Sequence, residues 1–227
     1  MNPVYWMGWL AFRTLYKFYF GWRVYNPERV PLEGPVILAS NHASFLDPPL
    51  VGAGLKRGIN YLARENLFRF PALGWVLHRW QAVPVDREGG GAKGLKAILD
   101  RLLAGGAIIL FPEGTRTRDG RLQPARSGIG LTVIKSNAPV VPVRVFGTFE
   151  AFNRYMRVPR PGRKVIVKYG RPMVFEKLRA EARSCSKQRL KEIYQEVADQ
   201  IMRAIATLEP YEDKQASPKY PGSTVCC

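Results

Sequence analysis

The order of apolar and polar segments along this 227-residue chain predicts an α/β fold, a mainly parallel or mixed sheet flanked by helices and preceded by an amphipathic N-terminal helix. Three observations carry that expectation. Short β-branched runs alternate with stretches of helical spacing, as in a chain that returns from strand to strand through helices. Gly, Pro and Asp stand between them, where helices start and stop. The apolar content of 46% is enough for one core. One domain over residues 26–208 is therefore expected, between an aromatic segment at 1–25 and a polar, proline-containing tail at 209–227 read as disordered.

The aromatic segment comes first. Val4 to Trp22 includes Tyr5, Trp6, Trp9, Phe12, Tyr16, Phe18, Tyr19, Phe20 and Trp22. Arg13 and Lys17 interrupt it, so its uncharged runs fall short of the ~18 residues a spanning helix needs. It also lacks the charged start and small-residue cleavage site of a secretory signal. Trp and Tyr favour the headgroup region of a bilayer, and Arg and Lys reach out from it. The segment reads as an interfacial, membrane-anchoring helix; the alternative is an aromatic helix packed on the domain.

Pro35 to Ser40 reads as a buried strand, and Asp47-Pro48 as the N-cap and first turn of a helix to Leu55. Ile59 to Ala63 is a second strand. Leu67 to Trp80 is helical, with a break at Pro71. Ala82 to Val85 is a third strand. Leu95, Ile98, Leu99, Leu102 and Leu103 recur at helical spacing up to the stop at Gly105-Gly106. Strands at Ala107 to Phe111, Val140 to Phe146 and Val165 to Tyr169 surround a helix at Gly128 to Lys135. Leu190, Ile193, Val197, Ile201, Ile205 and Leu208 form one face of a last helix from Ser186.

Charge narrows the partners. The chain carries 35 Lys and Arg against 18 Asp and Glu, a net +17, and so seeks anions. Nucleic acid and anionic membrane are the two large classes, and charge alone does not choose between them. No nucleic-acid-binding motif is present, and that reading leaves the aromatic N-terminus unexplained. Between Glu150 and Glu176 there is no acid, while Arg154, Arg157, Arg160, Arg163, Lys164, Lys168 and Arg171 are present. The stretch suits lipid headgroups or an acidic carrier protein, or is a solvated basic face. Cys185, Cys226 and Cys227 are too few for a disulfide framework, which suggests a reducing compartment. The terminal pair lacks the spacing of a prenylation signal.

Two blocks carry chemistry. In Asn41-His42-Ala43-Ser44-Phe45-Leu46-Asp47, an imidazole lies five positions before a carboxylate. On an ideal helix the two would point ~140° apart, so a loop after the strand must fold them together. Asp47 would then fix the imidazole tautomer and leave the other nitrogen to take a proton, the logic of a triad whose nucleophile is the substrate's own hydroxyl. Asp47 is also placed to cap its helix, and both roles are compatible. In Phe111-Pro112-Glu113-Gly114-Thr115-Arg116, Pro112 and Gly114 shape a turn and Arg116 can fork onto a phosphate or carboxylate. Glu113 would hold Arg116 or bind a substrate hydroxyl. Both blocks follow strands, and in open α/β sheets sites form beyond the carboxyl ends of strands.

These blocks, with two more in the same order, resemble the glycerolipid acyltransferase family of the 1-acyl-glycerol-3-phosphate acyltransferase type. The Asn-His-x4-Asp motif matches Asn41, His42 and Asp47. A second motif matches Arg64, Leu67, Pro71, Gly74 and Arg87; a third matches Phe111 to Arg116; a fourth matches Val140, Val141, Pro142 and Val143. Order and spacing agree over about residues 30 to 175. Arg64 stands where family members often have lysine, and Arg126-Ser127-Gly128 stands where a Lys-x-Gly element is common.

The resemblance implies transfer of an acyl group from acyl-CoA or acyl-carrier protein to the hydroxyl of lysophosphatidic acid, in phospholipid synthesis. An acceptor such as a lyso-ornithine lipid or another lysophospholipid is the alternative. His42 would be the base and Asp47 its orienter. Glu113, Gly114, Thr115 and Arg116, aided by Arg64, would hold the glycerol phosphate, with Asn41, Arg87 and Arg126 as further binding positions. Backbone amides near the fourth motif would steady the oxyanion. No Gly-x-Ser-x-Gly element points to a covalent acyl-enzyme, so direct attack is the simpler route. No cofactor or metal is implied, and the expected setting is an anionic membrane, at the cytoplasmic face of a bacterial inner membrane.

Overall fold

The structure is a computed structural model that describes residues 2–85 and 92–213. Arg87, Cys226 and Cys227 lie outside the described residues. The elements follow in the order α1 (Pro3–Tyr19), β1 (Arg23–Tyr25), β2 (Val36–Ser40), α2 (Asp47–Ala53), β3 (Ile59–Arg64), α3 (Pro71–Arg79), β4 (Ala82–Val85), α4 (Ala92–Leu103), β5 (Ala107–Leu110), α5 (Gly128–Ser136), β6 (Val140–Phe146), α6 (Thr148–Phe152), β7 (Ile166–Tyr169), α7 (Glu176–Glu181) and α8 (Lys187–Ala206).

Seven strands form one sheet in the order β1-β7-β6-β2-β5-β3-β4. Every neighbouring pair is parallel except β6 and β7. The sheet is therefore mixed: β7 and β1, parallel to each other, run against the other five strands. β2 lies at its centre and is buried on both faces, which explains an unbroken apolar run rather than an alternating one. Val36 and Leu38 face a core shared with Tyr16, Phe20 and Leu50. Ile37 and Ala39 face the opposite core, with Leu102 of α4, Val133 of α5 and Ile193, Val197 and Ile201 of α8.

Turn chemistry sets the boundaries. A 3-10 helix (Glu65–Arg69) ends before Pro71, which opens α3, so the expected break is there. Gly105 takes φ +77° just past α4, a backbone conformation that favours glycine. β1, α6 and α7 did not show in the sequence pattern, since elements of three, five and six residues carry too little periodicity.

α1 has two faces. Its inner face is integral to the fold: Tyr16 and Phe20 are buried, and Tyr5 accepts the Ile59 N–H through its hydroxyl at 2.9 Å. Trp9 Nε1 donates to the Leu55 carbonyl and Arg13 to the Ala53 carbonyl, both at 2.8 Å, which satisfies carbonyls at the end of α2. The outer face leaves Met7, Leu10 and Phe18 exposed. Among the described residues no helix is long and apolar enough to cross a membrane. Of the segment expected as a disordered tail, residues up to 213 are described. Lys168, buried on β7, donates to the Tyr211 carbonyl and pairs with Asp213, each at 2.5 Å, and Asp213 also pairs with Arg29.

Candidate active site

β2 and β5 are adjacent and parallel, with Ala39 beside Leu110, so both motif loops leave the sheet at the same edge. The loops are then stitched together through the backbone of His42. Its N–H donates to Glu113 Oε1 at 2.9 Å, and its carbonyl accepts the Thr117 N–H at 2.8 Å. Two blocks about seventy residues apart in sequence thus form one site.

Asp47 is fully buried. Its Oδ2 meets His42 Nδ1 at 2.9 Å and accepts the N–H groups of Ala43 and Ser44 at 2.6 and 2.7 Å. It does not cap α2 as expected; Leu46 occupies the cap position and Asp47 opens the helix. The carboxylate turns back because the tight loop offers it two amides and an imidazole. Tyr16 lies below, its hydroxyl donating to the Leu46 carbonyl at 3.0 Å. Burial, reinforced by the charge of Asp47, pushes the Tyr16 phenol well above its ordinary range and keeps it protonated.

The His42 ring stacks on Phe111, with centroids 3.9 Å apart and planes 18° from parallel. Its side chain keeps 14% exposure, so it is held but reachable. With Nδ1 as the donor to Asp47, Nε2 is the nitrogen that can take a proton.

Glu113 is buried, its second oxygen accepts the Gln123 N–H at 3.2 Å, and with its bond to His42 it braces two loops. Burial raises its pKa to about 7, against the opposing pull of the His42 and Gln123 hydrogen bonds. Asn41 is also committed to the scaffold: it donates to the Val145 carbonyl at 3.2 Å and accepts the Val145 N–H at 2.8 Å. These two bonds clamp the His42 loop to β6.

The exposed residues of the turn are the ones that can meet a ligand. Gly114, at φ +71°, and Thr115 are exposed. A Cβ at Gly114 would stand 2.9 Å from the Arg126 side chain, which brings that arginine against the turn. The Arg116 guanidinium lies over the Phe45 ring, 3.4 Å from its centre. Arg64 is exposed at the carboxyl end of β3, which runs parallel to β5. Arg64, Arg116 and Arg126 thus share the edge that carries His42.

Sequence reasoning missed several supporting residues. Ser44 donates its hydroxyl to the Phe152 carbonyl at 2.5 Å, and the rings of Phe45 and Phe152 lie 5.7 Å apart. Partners so distant in sequence leave no local signal. A cavity of about 140 Å³ also opens between α1, α2, α3 and β3, almost wholly apolar and lined by Trp9, Phe12, Tyr61 and Trp80 among others. It reaches Pro48, next to Asp47.

The chain is similar to known proteins. A chloroplastic 1-acyl-sn-glycerol-3-phosphate acyltransferase of Brassica napus is 31% identical over 138 residues, 60% of this chain and 40% of its own. The 1-acyl-sn-glycerol-3-phosphate acyltransferase of Bacillus subtilis is 33% identical over 128 residues, 56% of this chain and 63% of its own. The chain thus spans less than two thirds of the length of either relative. In structure it is similar to PlsC, the 1-acyl-sn-glycerophosphate acyltransferase of Thermotoga maritima, at a TM-score of 0.65 over 91% of this chain and 79% of that one. At 24% identity that likeness bears on the fold. The Acyltransferase family model matches residues 21–146, from β1 to the end of β6 with both motif loops inside, and the chain therefore belongs to the acyltransferase family.

Proposed function

We propose that this chain transfers a fatty acyl group from a thioester donor, acyl-CoA or acyl-carrier protein, to the free hydroxyl of 1-acyl-glycerol-3-phosphate, giving phosphatidic acid. The observation that carries the reading is the His42 Nδ1 to Asp47 contact, in a loop whose backbone is fixed by Glu113 and Thr117.

His42 Nε2 takes the proton of the acceptor hydroxyl as its oxygen attacks the thioester carbonyl. Asp47 holds the ring and offsets the positive charge that forms on it. The tetrahedral intermediate collapses, the carbon–sulfur bond breaks, and the departing thiolate takes the proton from the imidazolium. Arg116, Arg126 and Arg64 supply cations for the phosphate, the only dianion of the acceptor. The apolar cavity that reaches Pro48 is a place for an acyl chain.

Both acceptor and product are lipids, so the site works at a bilayer. Met7, Leu10 and Phe18 on the outer face of α1 enter the headgroup layer, and the +17 charge draws the protein to anionic lipid. On this reading the chain works at the cytoplasmic face of a bacterial inner membrane, in phospholipid synthesis. Incubation with lysophosphatidic acid and each donor, followed by mass spectrometry, tests the reading. Formation of phosphatidic acid by the wild-type chain and not by His42→Ala is expected. A product from a lyso-ornithine lipid and none from lysophosphatidic acid overturns the acceptor.

A further inference from the structure

We infer that the loop between α6 and β7, residues 153–165, is a second lipid-docking surface, which seats the rim of the active site on an anionic bilayer. The inference rests on the proposed action at a membrane but on different residues from those of α1.

Composition comes first. The loop presents Arg154, Arg157, Arg160, Arg163 and Lys164, all exposed. No acid occurs between Glu150 and Glu176, and among the described residues none of the five pairs with a carboxylate. Tyr155 and Val158 stand among them with 68% and 71% exposure. Arginines interleaved with single apolar side chains match an interface that is anionic at the headgroups and apolar just below.

The loop is also fastened. Arg160 N–H donates to the Ala151 carbonyl at 2.8 Å, and Tyr155 N–H to Asn153 Oδ1 at 3.0 Å. Gly162 N–H donates to the Tyr19 carbonyl at 2.9 Å, and Tyr19 Oη to the Pro159 carbonyl at 3.0 Å. The last two bonds join it to the end of α1, where Phe18 is 79% exposed and Lys17 is exposed. The loop therefore continues the apolar and basic surface of α1. At its other end it begins at Phe152, which holds Ser44 and Phe45. A lipid surface touching this loop lies against the mouth of the site. An acidic carrier protein matches the arginines, but the continuity with the apolar face of α1 favours lipid.

Flotation of the full chain on phosphatidylcholine vesicles, with and without about a third phosphatidylglycerol, tests this. Replacing Arg154, Arg157, Arg160 and Arg163 together by Gln should weaken partition onto the anionic vesicles by about tenfold or more. Tyr155→Ser with Val158→Ser should make the remaining binding more sensitive to salt. Both variants should turn over a short-chain, water-soluble lysophosphatidic acid within about twofold of wild type, which also reports that they fold. A Met7→Ser, Leu10→Ser, Phe18→Ser variant separates the two readings. If it floats as wild type while the loop variants do not, the loop docks and the α1 anchor is wrong. If the loop variants float as wild type, the inference is overturned, and a raised KM for a carrier-protein-bound donor in those variants would make the loop a protein dock instead.

Discussion

The Tyr16 hydroxyl donates to the carbonyl of Leu46, the residue before Asp47, so the N-terminal helix touches the chain that orients the imidazole. α1 is therefore part of the floor of the site as well as a surface element. Tyr16→Phe leaves the Leu46 carbonyl without this donor and should cost about 1 kcal/mol, a fall of roughly 2–4 °C in melting temperature. Deleting the residues before Arg23 opens the core at Tyr16 and Phe20 and should unfold the chain instead of merely releasing it from vesicles. A truncated chain with an unchanged thermal transition would contradict this.

His42→Ala removes the base and should lower kcat by about 10²–10⁴-fold with the thermal transition retained. Asp47→Asn keeps an acceptor for the Ala43 and Ser44 amides but loses the charge facing His42, so its kcat should fall by a similar factor. Near wild-type turnover by either variant would remove that residue from the mechanism.

Glu113 gives a pH signature. Burial raises its folded pKa to about 7, above the ordinary carboxylate value it has when unfolded. Between those values the folded chain keeps a proton that the unfolded chain has lost. Its contribution is therefore greatest below the unfolded pKa and is lost as the pH rises through 7. Glu113→Gln lacks this titration, so its stability relative to wild type should improve from about pH 5 to about pH 8. Denaturant melts of both proteins across that range measure it; parallel curves would refute the shift.

Arg116 follows the exposed turn residues Gly114 and Thr115, its guanidinium over Phe45. Arg116→Ala should raise the KM for lysophosphatidic acid by about tenfold or more while changing the KM for the donor little, because a guanidinium fork suits a phosphate monoester. Arg116→Lys should recover part of the loss, since lysine keeps the charge but not the fork. Equal effects on both substrates would argue for a general structural role.

Asn41→Ala removes both side-chain bonds to Val145 and should destabilise by about 1–3 kcal/mol, with kcat falling as the His42 loop loosens. Denaturant melts with parallel kinetics test this; wild-type stability would show that the clamp is dispensable.

Local pattern made the architecture legible. The continuous run of β2, the Pro71 break and the Gly105 stop are each written in adjacent residues, and the structure keeps all three. The pairing of the two motif loops followed from their shared place after parallel strands. Side-chain direction was less readable. Asp47 before Pro48 has the look of a cap, yet its carboxylate finds better donors behind it. Glu113 and Asn41 spend polar atoms on backbone that only the fold brings close, a role no local pattern displays. Short elements such as β1 and α6 had no period to display.

The clamp of Asn41 on Val145 also bears on the order of events during synthesis. The loop that carries His42 is among the first parts of the domain to be made, yet its neighbour on β6 lies 104 residues later. A growing chain that ends before Val140 already contains both motif blocks but has nothing to close the edge of β2 against. Alignment of the base is then a late event, completed only when the second half of the sheet arrives, and fragments released early would hold the motif residues without the catalyst.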